Sequence, residues 1–398
     1  MSEAELGGWR ADTPGLRTPG PGGRPMIHLN ACGAALMPRP VVERVKAHLD
    51  LEARTGGYEA QDAMQAELAA AYDSVARLLN ARPGEIAFVE NATRAWDMAF
   101  HALPLGAGDV VLTSVAEYAS NYIAFLQMRR RRGIEIRVVP DDSMGALDVA
   151  ALRRMLDPRV RLIAVTHVPT NGGLVNPAAE IGAVAQAAGI PFLLDACQSV
   201  GQMPVDVAAI GCTMLSATGR KFLRGPRGTG FLYVRQDWVR RLEPPFLDLH
   251  AAHWTGPDSF EIAGDATRFE NWEADIAGRL GLKTAVDYAL AIGLSRIADR
   301  IAGLADRLRT GLAALPGITV QDKGAVRCGI VAFTSAGLEP AALVHRLRAA
   351  GIHVTVSAAS STRLDMDGRG LQACARAGLH YYNSEAEIDA CLAAIAAL

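Results

Sequence analysis

Several features that define large classes of protein are missing from this sequence of 398 residues. No apolar run reaches the length of a membrane-spanning helix. The first residues, up to about position 25, are polar and rich in proline and glycine, without the apolar core of a signal peptide. The formal net charge is −2, which gives no electrostatic reason to expect a nucleic-acid or membrane partner. We therefore expect no membrane and no nucleic acid among the partners.

Cysteine pairs at short spacing are missing as well. The six cysteines stand alone, mostly within apolar segments, at Cys32, Cys197, Cys212, Cys328, Cys374 and Cys391. This distribution predicts neither a disulfide framework nor a zinc site, and we expect no metal. It fits a reduced, cytoplasmic compartment.

Lysine is scarce in this sequence. Lysine and arginine together number 40, but lysine occurs only at Lys46, Lys221, Lys283 and Lys323. Lys46 and Lys283 lie in helical patterns and Lys323 lies in a turn, so surface positions explain all three. Lys221 instead follows a buried strand pattern, in the loop GRKFLRG. An arginine could not act as a nucleophilic amine there, because a guanidinium keeps its proton. The alternative is an ordinary surface lysine in a basic loop.

Strand and helix patterns alternate from Glu85 to Val234, which predicts a mostly parallel sheet covered by helices on both faces. One buried strand pattern ends in Asp195. After a turn and a short amphipathic helix, a second ends near Ala217, just before Lys221. Open α/β sheets bind ligands at the carboxyl ends of their strands. A carboxylate and an amine are therefore expected together there, and the amine can form a Schiff base.

A candidate anion site follows the strand pattern from Glu85 to Glu90. Asn91, Ala92 and Thr93 open the next helix, and the free amides and positive dipole end of a helix start attract anions. The alternative is that Asn91 or Thr93 is simply an N-cap. The two interpretations are compatible, since a cap can also bind an anion.

Seven stretches, in order along almost the whole chain, resemble one family. They are ENATRAW, EYASN, THVPTNGGLVNP, LLDACQSVG, SATGRKFLRGPRGTGFLYV, RFENWE and CARAGLHYYNS. Together they resemble the class V aminotransferase family of fold type I pyridoxal phosphate enzymes. This family includes cysteine desulfurases, selenocysteine lyases and isopenicillin N epimerase, and within it the chain resembles lyases of the ergothioneine-pathway type.

The resemblance implies pyridoxal 5′-phosphate as the cofactor, with Lys221 as the catalytic residue that carries it as a Schiff base. Asp195 would keep the pyridine nitrogen protonated, Gln198 would donate to the ring 3-hydroxyl, and Thr170 would lie near that hydroxyl and the substrate. The phosphate would be bound by Asn91, Ala92 and Thr93. Tyr118 takes the place of a flat side chain that stacks on the ring. The remaining expected cofactor contacts are Thr218 and Arg220.

The substrate side is implied by the resemblance in the same way. Arg376 matches the arginine that grips the substrate α-carboxylate, a planar group that suits a guanidinium. Without the motif, an arginine on a surface helix is the simpler interpretation. Asn30 and Ala34 are expected at the mouth of the active site, and Tyr58 is a candidate group on the substrate side.

The implied architecture is an α/β fold of type I with a large and a small domain. Half of the residues are hydrophobic, enough to bury a large core. We predict a mobile tail over residues 1–25, a segment 26–44 that joins the small domain, a large cofactor-binding domain over 45–285, and a small α+β domain over 286–398.

Two departures from the desulfurase pattern shape the predicted function. Cysteine desulfurases carry a persulfide-forming cysteine in the loop that matches residues 354–364, and no cysteine occurs there. Arg220 also replaces the histidine that commonly precedes their Schiff-base lysine. The sequence therefore predicts a lyase that binds an amino acid as an external aldimine and breaks a C–S bond of a cysteine-derived substrate by β-elimination.

Several alternatives stay open. An epimerase or an aldolase-type enzyme would use the same carbanion, while an aminotransferase or a cysteine desulfurase fits the pattern less well. A non-catalytic protein that only binds the cofactor is a further possibility. The family implies a homodimer, but the threonine that often contacts the phosphate of the partner subunit is not matched in RFENWE.

Overall fold

The computed structural model describes residues 2–23 and 25–398, and its strands form one large sheet and several smaller ones. In chain order the strands are β1 Ile27–His28, β2 Ile86–Val89, β3 Val110–Ser114, β4 Glu135–Val139, β5 Val160–Thr166, β6 Phe192–Asp195, β7 Met214–Thr218, β8 Gly230–Val234, β9 Ala252–Gly256, β10 Ser259–Ile262, β11 Ile318–Val320, β12 Ile330–Ser335, β13 Ile352–His353, β14 Thr355–Ala358 and β15 Ala373–Gly378.

The helices are bounded as follows: α1 Glu3–Ala11, α2 Ala31–Ala34, α3 Arg39–Thr55, α4 Gly57–Ala63, α5 Gln65–Leu79, α6 Ala92–His101, α7 Ala119–Arg132, α8 Val149–Arg154, α9 Ala178–Ala187, α10 Val207–Ile210, α11 Gln236–Val239, α12 Ile276–Ile292, α13 Leu294–Ala313, α14 Pro340–Ala349, α15 Arg363–Gly368 and α16 Glu385–Ala396. Within the described residues, no helix combines the length and apolar character needed to cross a membrane.

The large sheet has the strand order β2-β8-β7-β6-β5-β3-β4. Strand β8 runs antiparallel to both of its neighbours, and every other adjacent pair is parallel. This confirms the predicted mostly parallel sheet. Because β2 and β7 both oppose β8, the carboxyl end of β2 lies at the same edge as the carboxyl ends of the parallel strands.

Apolar layers cover both faces of this sheet, as is usual for parallel sheets with helices on both sides. In β6, Phe192 and Leu194 pack into the layer that includes α5, α9 and α12, while Leu193 packs into the layer that includes α6 and α7. In β6 the polar residue is therefore at the strand end, where Asp195 follows three apolar residues.

The small domain is built on an antiparallel sheet of order β11-β12-β15-β14, and helices α13, α14 and α16 pack against it. The stretches GITVQD, RCGIVAFT and GIHVTVS predict strands, and they correspond to β11, β12 and the pair β13–β14. No such pattern predicts β15, which lies between β12 and β14 and carries Arg376. Strand β1 pairs with β13, which attaches the segment after Pro25 to this domain.

The first residues differ from the predicted mobile tail. Ser2 and Glu5 form a capping box that starts α1, and Arg10 pairs with Glu387 at 2.7 Å. Trp9 packs edge-on against Tyr381, with 5.5 Å between ring centroids. Proline and glycine after residue 13 hid these anchors, because they interrupt the pattern without removing the side chains that dock.

Candidate functional site

The candidate site lies where three chain segments approach one another closely. Val89 at the end of β2 pairs with Gly230, and Gly230 pairs with Thr218 at the end of β7. A Cβ on Gly230 would lie 2.7 Å from the Ala217 carbonyl oxygen and 2.8 Å from the Asn91 carbonyl carbon. The missing side chain therefore lets the start of α6 lie beside the end of β7.

Gly230→Ala is expected to lower the free energy of unfolding by about 1–3 kcal/mol, because the added methyl group overlaps backbone atoms that cannot rotate away. Urea denaturation measures this loss. Gly303→Ala is the matched control, since a Cβ there has nothing within 4 Å and the residue lies inside α13. An equal loss in both variants would contradict the argument.

The predicted anion site lies at the start of α6. Asn91 is the N-cap, and its Oδ1 accepts a hydrogen bond of 2.9 Å from the Arg94 amide. Asn91 and Thr93 are exposed and Ala92 is buried. The first amides of a helix have no partner within it. Asn91 is therefore an N-cap, and the anion site at the same position remains a prediction.

Asp195 ends β6 and is 5% exposed. Its Oδ2 accepts a hydrogen bond of 3.0 Å from Asn121 Nδ2, and its Oδ1 accepts one of 2.9 Å from the Cys197 amide. Burial raises the pKa of the neighbouring Cys197 thiol, which also feels the opposing charges of Lys221 and Asp195. The predicted amine and carboxylate are therefore both close enough to act on this thiol.

A second buried carboxyl group, Glu117, lies next to Asp195. Glu117 Oε1 accepts a hydrogen bond of 2.8 Å from Asn121 Nδ2, so one amide nitrogen contacts both carboxyl groups. Burial, opposed in part by hydrogen bonds from Thr166 and Asn121, raises the pKa of Glu117 to about 7, and the charge of Asp195 adds to the rise.

The Lys221 loop is fastened to the segment around α2. The Ala35 amide donates to the Arg220 carbonyl at 2.9 Å, and Arg220 Nη1 donates to the Gly33 carbonyl at 2.9 Å. Arg224 is buried and donates to the Leu36 carbonyl at 2.7 Å. The side chain of Arg220 is therefore directed to the segment that holds Ala34, and Lys221 itself is half-buried.

Gln198 contacts the same segment around α2, and Asn30 is the residue that precedes this helix. Gln198 Nε2 donates to the Cys32 carbonyl at 3.1 Å, and its buried Oε1 has no partner among the described residues. Asn30 forms a bridge with Gly378 at the end of β15. In this orientation the amide would accept from a ring hydroxyl through Oε1, rather than donate to it as the resemblance implied.

Tyr118 and Thr218 are two further residues that the sequence predicts as cofactor contacts. Tyr118 is half-buried at the start of α7, and its amide lies 3.3 Å from Thr166 Oγ1 at the end of β5. Thr218 is buried, and its hydroxyl donates to the Thr229 carbonyl at 3.2 Å. Its hydroxyl hydrogen is thus directed to the backbone, while its oxygen can still accept.

Arg376 lies on β15, which overturns the simpler interpretation of an arginine on a surface helix. It is 8% exposed, and its Nη1 donates to the carbonyl of Thr170 at 2.9 Å and also contacts the Thr170 hydroxyl. Its buried Nε has no partner in the part of the chain that the structure describes. A guanidinium with an unused buried donor suits a carboxylate ligand.

The loop that matches the desulfurase cysteine loop adjoins these residues. Asn171 Nδ2 donates to the Ala358 carbonyl at 3.2 Å, and Asn171 Oδ1 contacts the Ser357 hydroxyl. Because Asn171 follows Thr170, the residues after Ala358 begin beside the predicted substrate side. Ala359, Ser360 and Ser361 form a short 3-10 helix there.

Tyr58 is the predicted site residue that the structure does not bring to the others. It lies on α4, is 66% exposed, and makes no side-chain hydrogen bond among the described residues. Its place in the site remains a prediction.

Sequence reasoning did not assign roles to Glu117, Asn121, Asn171 and Ser357. A signal for Glu117 and Asn121 was present in the sequence, because residues four apart at a helix start share one face. No local signal joins Asn171 to Ser357, which lie 186 residues apart and meet through tertiary packing.

Comparison with known proteins gives a family and a fold for this chain. A family model described as "Aminotransferase class-V" matches residues 27–391. A "Probable cysteine desulfurase" of Methanothermobacter thermautotrophicus is 31% identical over 92% of this chain and 93% of that protein. A "Cysteine desulfurase" of Cronobacter sakazakii is 30% identical over 94% of this chain and 93% of its own length.

Solved structures of two kinds of enzyme superpose on the chain. The cysteine desulfurase CsdA of Escherichia coli matches with a TM-score of 0.89 at 25% identity, covering 98% of this chain and 97% of that one. The cystine C-S lyase C-DES, in complex with its reaction product cysteine persulfide, matches with a TM-score of 0.86 at 25% identity, covering 96% and 99%.

Proposed function

This chain belongs to the class V aminotransferase family and is a pyridoxal phosphate-dependent enzyme of fold type I, and we propose that it cleaves the C–S bond of a cysteine-derived amino acid by β-elimination. The predicted family, cofactor and fold are confirmed by the comparisons. The reaction on a particular substrate is our proposal.

The described residues fit this coenzyme on structural grounds. The buried carboxylate of Asp195 suits a protonated ring nitrogen, and the unpartnered Gln198 Oε1 suits a ring hydroxyl. The start of α6 suits a phosphate. Lys221 supplies the amine that binds the aldehyde. Bound there, the coenzyme accepts the electron pair that stays on the substrate α-carbon when its proton leaves.

Three residues of the chain have separate roles in the proposed reaction. Arg376 binds and orients the substrate α-carboxylate. Lys221 Nζ takes the α-proton, and Asp195 holds the proton on the ring nitrogen. Loss of the sulfur substituent from the β-carbon gives a product that hydrolyses to pyruvate and ammonia.

The observation that carries this proposal is the composition of the loop after β14. It follows Ala358, whose carbonyl accepts from Asn171, and it holds Ala359 and two serines where a desulfurase needs a mobile thiol. Elsewhere in the described residues the cysteines are buried, apart from the half-buried Cys197. Burial raises the pKa of Cys374, the cysteine on β15, to about 11, so it is a poor nucleophile.

The test is product analysis with S-substituted cysteines and their sulfoxides. We expect pyruvate and ammonia in equal amounts, together with the released sulfur compound. No pyruvate from any of these substrates, with the coenzyme bound, would refute the proposal.

A cysteine desulfurase is the second candidate, and the names of the relatives favour it. L-Cysteine distinguishes the two reactions. A desulfurase converts it to alanine and leaves a persulfide on an enzyme cysteine, whereas β-elimination gives pyruvate and sulfide. The thiol available for a persulfide would have to be Cys197, so Cys197→Ser would abolish alanine formation and leave elimination intact.

Arg376→Ala is expected to raise KM by roughly 10- to 100-fold, the range that a lost hydrogen bond to a charged group produces. Arg376→Lys should recover part of the loss, because it restores the charge but not the planar fork. Arg268 is the control, since it is also buried and donates to the Ala263 and Val239 carbonyls. Arg268→Ala should lower stability and leave KM unchanged, and equal KM values in all variants would contradict the role of Arg376.

A homodimer remains part of the proposal. Several of the exposed large apolar side chains lie between β8 and α12, namely Phe246, Leu249, Trp254, Phe260 and Trp272. Exposed apolar patches of this kind often mark subunit contacts. Sedimentation equilibrium of the holoenzyme measures the mass directly, and a monomer would refute this part.

A further inference from the structure

Two buried carboxyl groups share a single amide nitrogen. Asn121 Nδ2 lies 2.8 Å from Glu117 Oε1 and 3.0 Å from Asp195 Oδ2. A side-chain amide nitrogen carries two hydrogens, so Asn121 can donate one to each carboxyl group. The amide therefore fixes the orientation of Asp195 relative to Glu117.

Glu117 is held by groups from every element around it. Thr113 on β3 donates to Oε2 at 3.0 Å. Thr166 on β5 contacts both oxygens, through its amide to Oε2 at 3.1 Å and its hydroxyl to Oε1 at 2.5 Å. The Tyr118 amide donates to Oε1 at 3.1 Å. Among the residues that surround Glu117, the charged group is Asp195 on β6.

Two carboxylates in such a buried site repel each other strongly, so a proton favours one of them. Glu117 is suited to hold it, because the Thr113 and Thr166 hydroxyls can rotate and accept a hydrogen bond from a protonated carboxyl group. Within residues 2–23 and 25–398, Asp195 accepts from Asn121 Nδ2 and the Cys197 amide, and these N–H donors cannot become acceptors. A pKa of Glu117 raised to about 7 agrees with this assignment.

We propose that Glu117 and Asn121 are positioning residues for Asp195. Asn121 holds the Asp195 carboxylate toward the coenzyme ring nitrogen, and Glu117 carries the shared proton, so the negative charge stays on Asp195. This inference rests on the proposed function, because it takes Asp195 as the partner of the coenzyme ring. It adds that the strength of this partner depends on the protonation of a group that does not touch the coenzyme.

The first experiment measures the visible absorbance of the bound coenzyme against pH, without any substrate. In the wild type we expect a component with a midpoint near pH 7, the pKa of Glu117. Glu117→Gln, a neutral side chain of the same shape, should lose this component. Asn121→Ala should shift the ring-nitrogen titration by roughly one pH unit, which is a tenfold change in proton affinity.

Asn176→Ala is the matched control. Asn176 is also buried and makes two hydrogen bonds, from the Leu147 amide at 3.0 Å and to the Thr166 carbonyl at 2.8 Å, but it does not contact Asp195. This variant should lose stability and keep the wild-type titration. A Glu117→Gln curve that superimposes on the wild type, or an equal change in Asn176→Ala, would overturn the proposal.

A second measurement does not need the coenzyme. The infrared difference spectrum between wild-type and Glu117→Gln apoprotein should show a protonated carboxylic acid at about pH 6 that becomes a carboxylate by about pH 8. A carboxylate already present at about pH 6 would overturn the assignment of the proton. Neither readout uses a substrate, so failure of the elimination assay leaves both results interpretable.

Discussion

Lys221→Ala is expected to lower the turnover number by a factor of about 1,000 or more, because the variant loses both the covalent attachment of the coenzyme and the base for the α-proton. Lys221→Arg should lower the turnover number by as much as Lys221→Ala. A guanidinium keeps its charge but neither forms the covalent bond nor releases a proton. Stopped-flow or steady-state assays of pyruvate release measure the loss.

The covalent bond gives an independent readout. Borohydride reduction of the wild-type holoenzyme should fix the coenzyme on Lys221, and peptide mapping should find it there. Lys283 is the matched control, because it is an ordinary helix lysine paired with Asp287 at 2.7 Å. Lys283→Ala should keep both the label and the turnover. A label on any other lysine would refute the assignment of Lys221.

The large domain could be predicted well because its pattern is local. Asp195 and Lys221 follow continuous apolar strands, and such strands end at the ligand-binding edge whatever the rest of the chain does. The alternation of strand and helix predicted the sheet, and the structure differs from it only in detail. For example, the sequence predicts a helix that starts near Asn121 and is closed by the arginine run 129–132, and α7 spans Ala119–Arg132.

The small domain and the N-terminal region were harder because their signals are not local. Strand β15 is rich in alanine, and Arg376 interrupts its apolar pattern, so no periodicity marks it as a strand. Lys323 looked like a surface turn residue. In the structure its Nζ lies 2.6 Å from Asp141 and 2.8 Å from Asp365, which are far apart in sequence. Only tertiary packing brings these groups together.

Asp195→Asn is expected to lower the turnover number by about 100- to 1,000-fold, the range seen when one preorganised electrostatic contact is removed. The substitution keeps the shape of the side chain but removes the charge that balances the ring-nitrogen proton. KM should change little, because Arg376 rather than Asp195 is proposed to bind the substrate carboxylate. The holoenzyme absorbance should also shift, since the coenzyme ring becomes a weaker electron acceptor.

Asp206→Ala is the control for this prediction. Asp206 is the N-cap of α10, and its carboxylate accepts from the Ala208 and Ala209 amides. Its loss should cost about 0.5–2 kcal/mol of stability and leave turnover unchanged. Asp195→Asn should in addition lower the pKa of Glu117, because the charge of Asp195 contributes to its rise. An Asp195→Asn enzyme with normal turnover would show that the ring nitrogen has another partner, and the roles of Asn121 and Glu117 would fall with it.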